Sequence, residues 1–116
     1  MEIKKGDIIV VDLEPVKGCE TGKTRTCLVI QNDIGNKYSF TTIIAVITAY
    51  NEKKAKIAIC VPVNKGEGKL NKKSIIDCGQ IRTIDKVRIV DKLGSLQPET
   101  MKKVNNAIKI SLALVN

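Results

Sequence analysis

Residues 18–31, GCETGKTRTCLVIQ, decide which fold class this chain enters. The letters Gly-Lys-Thr follow a glycine by a few residues, as in a phosphate-binding loop that opens a helix. Such a loop needs four residues between its glycines, because its N–H groups must wrap the phosphates before the helix begins. Only Cys19, Glu20 and Thr21 separate Gly18 from Gly22, and Lys17 stands where the first glycine belongs. The segment that follows, TCLVIQ (Thr26 to Gln31), is apolar, β-branched and too short for a helix, so it reads as a strand. A strand–loop–strand unit has no helix N-terminus to hold a phosphate, and the nucleotide-hydrolase reading is excluded.

Working outward from that strand, β signals dominate. DIIVVDL (Asp7 to Leu13) is a first strand closed by Glu14-Pro15. Residues 32–39, NDIGNKYS, carry Asn, Asp and Gly turn chemistry. TTIIAVITA (Thr41 to Ala49) is the most apolar strand and is placed at the centre of the sheet. KAKIAICVPV (Lys54 to Val63) opens with polar/apolar alternation and is read as a strand with one wet face. NKGEGKLNKK (Asn64 to Lys73) is a polar loop. SIIDCGQIRTI (Ser74 to Ile84) is a strand with a bend at Gly79, and KVRIVDKLG (Lys86 to Gly94) a last short one. Only the tail is helical. Pro98 suits a first helical position and Glu99 the first turn. Met101, Val104, Ala107, Ile108, Ser111, Leu112 and Val115 recur at spacings of three and four and mark a core-facing stripe. Strands in this number with one terminal helix predict a mainly β domain, a small curved sheet or barrel spanning residues 1–116.

Composition narrows the function. The chain has 116 residues, 43% apolar and 28% charged, enough for one hydrophobic core without staples. No apolar run follows Met1 and no stretch is long enough for a membrane span, so a cytoplasmic protein with no membrane partner is expected. The net charge of +8, from 20 Lys+Arg against 12 Asp+Glu, suits a phosphate polyanion as well as it suits a lysine-rich solvated surface. Aromatic residues make up only 3%, so base stacking on Tyr38, Phe40 and Tyr50 is not the main mode of binding. The chain has no histidine, and its four cysteines show no Cys-x-x-Cys spacing. A Cys/His zinc site is therefore poorly supported, and neither a metal nor a cofactor is expected. Cys27, Cys60 and Cys78 sit among apolar strand residues as buried thiols, while Cys19 lies in the glycine-containing loop. Acid–base chemistry near neutral pH must use Glu, Asp, Lys, Tyr or Cys, with Arg as an electrostatic group.

Taken together, GDIIVVDLEPVKGCETGKTRTCLVIQNDIGNKYSFTTIIAVIT, the later GQIRTIDKVRIVDKLGSL and the tail ISLAL resemble the MazF/PemK (Kid-like) toxin endoribonucleases. The Gly-Asp start, Asp-Leu-x-Pro turn, glycine loop ending in Arg, Gln-Asn-Asp, Gly-Asn turn and Gln-Ile-Arg occur in the family's order over nearly the whole chain. The resemblance implies an SH3-like β-barrel of the MazF, PemK and CcdB type with a C-terminal helix, working as a homodimer. It implies metal-independent, sequence-specific cleavage of single-stranded RNA, and neutralisation by a cognate acidic antitoxin. Residues 14–25, EPVKGCETGKTR, would be a lid over the active site. The sequence departs from the family at Cys19, where serine is usual, at Thr21, where glutamine is usual, and at Thr26, where proline is usual.

By that resemblance Arg25, Thr48 and Glu20 are the candidate catalytic residues. Arg25 suits charge stabilisation because its planar fork matches phosphate geometry. Glu20 is the only carboxylate inside the glycine loop; a base role and a loop-ordering contact both remain open for it, and the family's arginine is a rival base. Without the resemblance Arg25 reads as a surface ion pair and Thr48 as an ordinary strand residue. Cys19, Asn32, Gln80 and Arg82 are candidate RNA-binding residues by their positions in the same motifs. The run Lys53, Lys54 and Lys56 reads as RNA steering or as a solvated strand edge. Two other classes compete: a non-catalytic poison of DNA gyrase sharing the barrel, and a plain basic nucleic-acid-binding barrel. The first does not need Glu20, Arg25 and Thr48 together, and the second is weakened by the scarcity of aromatic residues for stacking bases.

Overall fold

A computed structural model describes residues 1–13 and 24–114. In chain order these form β1 (Asp7–Asp12), β2 (Thr24–Val29), α1 (Asp33–Tyr38), β3 (Thr41–Ala49), β4 (Cys60–Val63), β5 (Ser74–Asp85), β6 (Ile89–Ser95) and α2 (Pro98–Ser111). Short 3₁₀ turns fall at Lys54–Lys56, Glu67–Lys69 and Lys86–Arg88. The six strands make one antiparallel sheet in the order β4-β5-β3-β2-β1-β6. The mainly β class with a C-terminal helix is thus as expected. The ladder itself is open, with β4 and β6 as its edges. The gap is covered by the turn Glu67–Lys69, which follows β4 and lies against β6. Gly68 has φ +60°, and a Cβ on Gly94 would come within 2.8 Å of the Gly68 carbonyl oxygen, so both glycines are required by the close approach. Gln97 N–H donates to Glu67 Oε2 at 3.0 Å and fixes the same turn to the start of α2.

Burial on both faces explains the near-continuous apolar runs. Ile8, Leu28, Ala45, Ile76 and Cys78 belong to one cluster, joined by Val104 and Ala107 of α2. Their chain neighbours Ile9, Cys27, Val29, Ile44 and Val46 form a second cluster with Ile3 and Ile84. The α2 stripe is as read, with Met101 and Ile108 packed beside the core. Leu112 lies past the helix and is 53% exposed, and Val115 is outside the described residues.

Three local readings are corrected by side-chain capping. Residues 33–38 form a short helix rather than a turn, because Asn32 accepts from Gly35 N–H at 2.8 Å as its N-cap. Buried Asn36 anchors that helix, accepting from Thr42 Oγ1 at 2.7 Å and Gln31 Nε2 at 3.0 Å. The expected strand Lys54–Val63 is strand only from Cys60, because Asn51 Oδ1 accepts from Lys53 and Lys54 N–H at 2.9 and 3.0 Å and winds a turn. Asp85 similarly accepts from Val87 N–H at 3.1 Å and delays β6 to Ile89.

Candidate active site

The groove begins where two strands part. β2 pairs with β3 only as far as Cys27 opposite Val46, yet it stays paired with β1 to its first residue, Asp12 opposite Thr24. Beyond Cys27 the chain therefore follows β1 and leaves β3 behind. The opening, about 290 Å³, is lined by Thr24, Arg25 and Thr26 on one side and Ile47, Thr48 and Ala49 on the other. Leu70, Asn71, Lys72 and Ser74 complete it. The β2–β3 register, continued past its last pair, sets Arg25 level with Thr48 on the face that carries Cys27 and Val46.

Two features mark this groove chemically. Its described lining holds the cations Arg25 and Lys72 and no carboxylate. The Thr48 hydroxyl is buried and has no hydrogen-bond partner among the described residues. A buried hydroxyl left unpaired costs about 1–3 kcal/mol, so the Thr48 hydroxyl calls for a partner beyond the described residues. A phosphate oxygen entering from the groove would be that partner.

A bulge carries the neighbouring row of side chains onto the same face. β5 pairs Ile75 with Thr48 and Asp77 with Val46, but Ile81 with Ala45 and Arg82 with Ile44. Cys78, Gly79 and Gln80 fall between these pairs as extra residues, where the sequence had placed a bend at Gly79. Without the bulge, alternation from Asp77 would send Gln80 to the opposite face; with it, Asp77, Gln80 and Arg82 all lie on the side of Arg25 and Thr48. Gln80 Nε2 donates to Asp77 Oδ2 at 2.8 Å, Gly79 N–H donates to Asp77 Oδ1 at 2.9 Å, and Lys54 Nζ reaches Oδ2 at 3.4 Å. Burial raises the Asp77 carboxyl, but the bonds from Gln80, Gly79 and Lys54 outweigh it and hold the group below its ordinary value. Burial likewise pushes the Cys27 thiol up to about 11 against the opposing pull of Arg25 and Arg82.

Of the residues singled out from the sequence, the structure brings together Arg25 and Thr48, with Gln80 and Arg82 on the adjoining strand. Glu20 and Cys19 lie outside the described residues. Asn32 is not brought in: it caps α1 at the far end of β2 and β3 from Arg25. Of the lysine run, Lys54 is tied to Asp77 and does not sit on a strand edge. Asn71, Lys72 and Ser74 were read only as part of a polar loop and a strand start; nothing in their local sequence shows that the turn Glu67–Lys69 folds them back over the groove.

A family model described as the PemK-like, MazF-like toxin of type II toxin–antitoxin systems matches residues 4–112. The chain belongs to this family. Endoribonuclease MazF of Staphylococcus saprophyticus is 50% identical over 112 residues, 97% of this chain and 92% of that protein. Endoribonuclease EndoA of Bacillus subtilis is 47% identical over 116 residues, 100% of this chain and 99% of that one. Among solved structures, a mycobacterial endoribonuclease in complex with its cognate antitoxin superposes with a TM-score of 0.81 at 20% identity, covering 98% of each chain. MazE–MazF from Deinococcus radiodurans gives 0.82 at 15% identity over 99% of each. These two likenesses are of fold. The short ladder between β2 and β3 opens the sheet at Arg25 and Thr48.

Proposed function

We propose that this toxin-family endoribonuclease cuts single-stranded RNA in the groove between β2 and β3, using the substrate's own 2′-hydroxyl as nucleophile and no metal. The 2′-oxygen bonds to phosphorus, the bond to the 5′-oxygen breaks, and the departing oxygen takes up a proton from water, which the proton released at the 2′-hydroxyl replaces. A 2′,3′-cyclic phosphate and a 5′-hydroxyl result. Arg25 and Thr48 donate to the phosphoryl oxygens as negative charge builds on them, the moment at which fixed donors lower the barrier most. Glu20 is the carboxylate proposed to take the 2′ proton, since a guanidinium holds its own proton in a protein. Lys72, Gln80 and Arg82 hold the flanking nucleotides. The observation that carries this reading is the buried Thr48 hydroxyl, without a partner among the described residues and level with Arg25 in a groove whose described lining has no carboxylate.

The same reading extends to partners. The chain works as a cytoplasmic homodimer, for which the exposed Leu112 and Leu114 past the end of α2 offer apolar surface. Among the described residues no helix is long and apolar enough to cross a membrane. A cognate antitoxin with an acidic, flexible segment occupies the cationic groove, favoured by the net charge of +8. The test of the catalytic reading is incubation of a long RNA and its duplex form with and without a chelator. Cutting of the single strand alone, undiminished by EDTA, is expected. Strict dependence on added Mg²⁺ would refute it.

A further inference from the structure

We infer that Asp77 fixes which way round the Gln80 amide faces the substrate, so that Gln80 meets RNA as a hydrogen-bond acceptor for a nucleobase amino group. The inference rests on the groove being the RNA site. Asp77 is 7% exposed, whereas Gln80 is exposed, so the pair is a buried anchor beneath a side chain that solvent or RNA reaches. The anchor is held from two other sides, by Gly79 N–H at 2.9 Å and Lys54 Nζ at 3.4 Å. An ionised carboxylate only accepts hydrogen bonds, so the amide nitrogen of Gln80 must be the atom turned toward Asp77 at 2.8 Å. Its Oε1 is the atom left to face outward. The β5 bulge leaves Gln80 two residues before Arg82, which lies opposite Ile44, so Gln80 shares the sheet face of Val46 and Thr48.

The orientation has a consequence for sequence preference. Adenine, cytosine and guanine carry an exocyclic amino group that an outward carbonyl oxygen can accept from; uracil carries none, and its one base-edge donor, N3–H, lies between two carbonyl oxygens that repel an approaching carbonyl. One position of the recognised sequence should therefore disfavour uracil. Asp77 acts through Gln80 and is a positioning residue.

The test is sequencing of the ends released from an RNA library randomised around the cut, with wild type, Asp77→Asn, Gln80→Leu and Arg25→Ala. An asparagine side chain can either donate to or accept from Gln80, which frees both amide orientations. Wild type should show one uracil-depleted position, and Asp77→Asn and Gln80→Leu should each weaken that depletion roughly tenfold. A wild-type profile from folded Asp77→Asn would overturn the inference. If Asp77→Asn fails to fold, Gln80→Leu, changed at an exposed side chain, decides in the same way. Arg25→Ala separates the two levels: its cutting at the wild-type rate would remove the groove reading and this inference together. Loss of cutting in Arg25→Ala beside an unchanged Asp77→Asn profile would remove the inference alone.

Discussion

Replacing Thr48 by valine should make the protein more stable and less active at once. The hydroxyl is buried and bonds nothing among the described residues, so among them its desolvation goes uncompensated. That cost is about 1–3 kcal/mol. Because Thr48 lies at the groove wall and its surroundings can relax, the lower end applies, a gain of about 1 kcal/mol for Thr48→Val. Valine keeps the β-branched shape that suits the β3 position, so little strand preference is lost. For a domain of this size that gain corresponds to a rise of roughly 3–5 °C in Tm. Cleavage should move the other way, falling roughly 10²–10³ in kcat, as when one fixed donor to a developing oxyanion is removed. Paired thermal melts and single-turnover cleavage of a fluorescent RNA measure both quantities on one preparation. A fall in Tm of a few degrees would mean that the hydroxyl has a partner in the folded protein. A kcat equal to wild type would mean that it never touches the phosphate. Either result refutes the reasoning.

Other changes give independent checks. Arg25→Ala should lose roughly 10²–10³ in cleavage while leaving the urea midpoint within about 0.5 kcal/mol, because the side chain is exposed and makes no salt bridge among the described residues; a large loss of stability would show a structural role instead. Cys27 and Cys78, with thiols raised to about 11 and about 12 chiefly by burial, should resist a thiol reagent at pH 8 until the protein unfolds; rapid labelling of either in native protein would contradict the packing. The Asp77 carboxyl lies below its ordinary value of 3.8, so the stability it contributes is present above that pH and is lost as pH falls through the lower, folded value. The urea midpoint should therefore drop between pH 5 and pH 3, with a shallower drop in Asp77→Asn; equal slopes would show that Asp77 does not titrate with folding. Asp7→Ala should cost about 2–3 kcal/mol, since it strands Lys4 N–H, Ser95 Oγ and Lys92 Nζ, which bond the buried carboxylate at 2.8, 2.8 and 3.2 Å; a midpoint within 0.5 kcal/mol of wild type would contradict that network.

The strands and the terminal helix were legible because their signals are local. Thr41–Ala49 is apolar on both faces, and the three-and-four spacing from Met101 onward has one cause, the α2 contact with the sheet. What sequence reading missed depends on pairs that are not adjacent in the chain. Asn32 and Asn51 were visible as turn formers, but whether each winds a helix rests on a single side-chain bond to a nearby N–H. SIIDCGQIRTI signals a bend at Gly79 but not the register shift there, which is defined by which β3 residue stands opposite and which decides that Gln80 shares a face with Asp77 and Arg82. Arg25 and Thr48 were picked out by family likeness and not by pattern. Only the early end of the β2–β3 ladder explains physically why those two positions meet at an opening. Asn71, Lys72 and Ser74 reach the same opening through a turn held by Gly68 and Gly94, a contact between distant glycines that no local rule marks.

The central claim is that the substrate's own 2′-hydroxyl attacks the phosphate that Arg25 and Thr48 hold. The measurement that bears on it most directly is mass spectrometry of the fragment ends after cleavage of a single-stranded RNA in EDTA. The account predicts a 2′,3′-cyclic phosphate, or its opened monophosphate, on the upstream fragment and a 5′-hydroxyl on the downstream one. A 5′-phosphate with a free 3′-hydroxyl would mean that water attacked instead, and would contradict it.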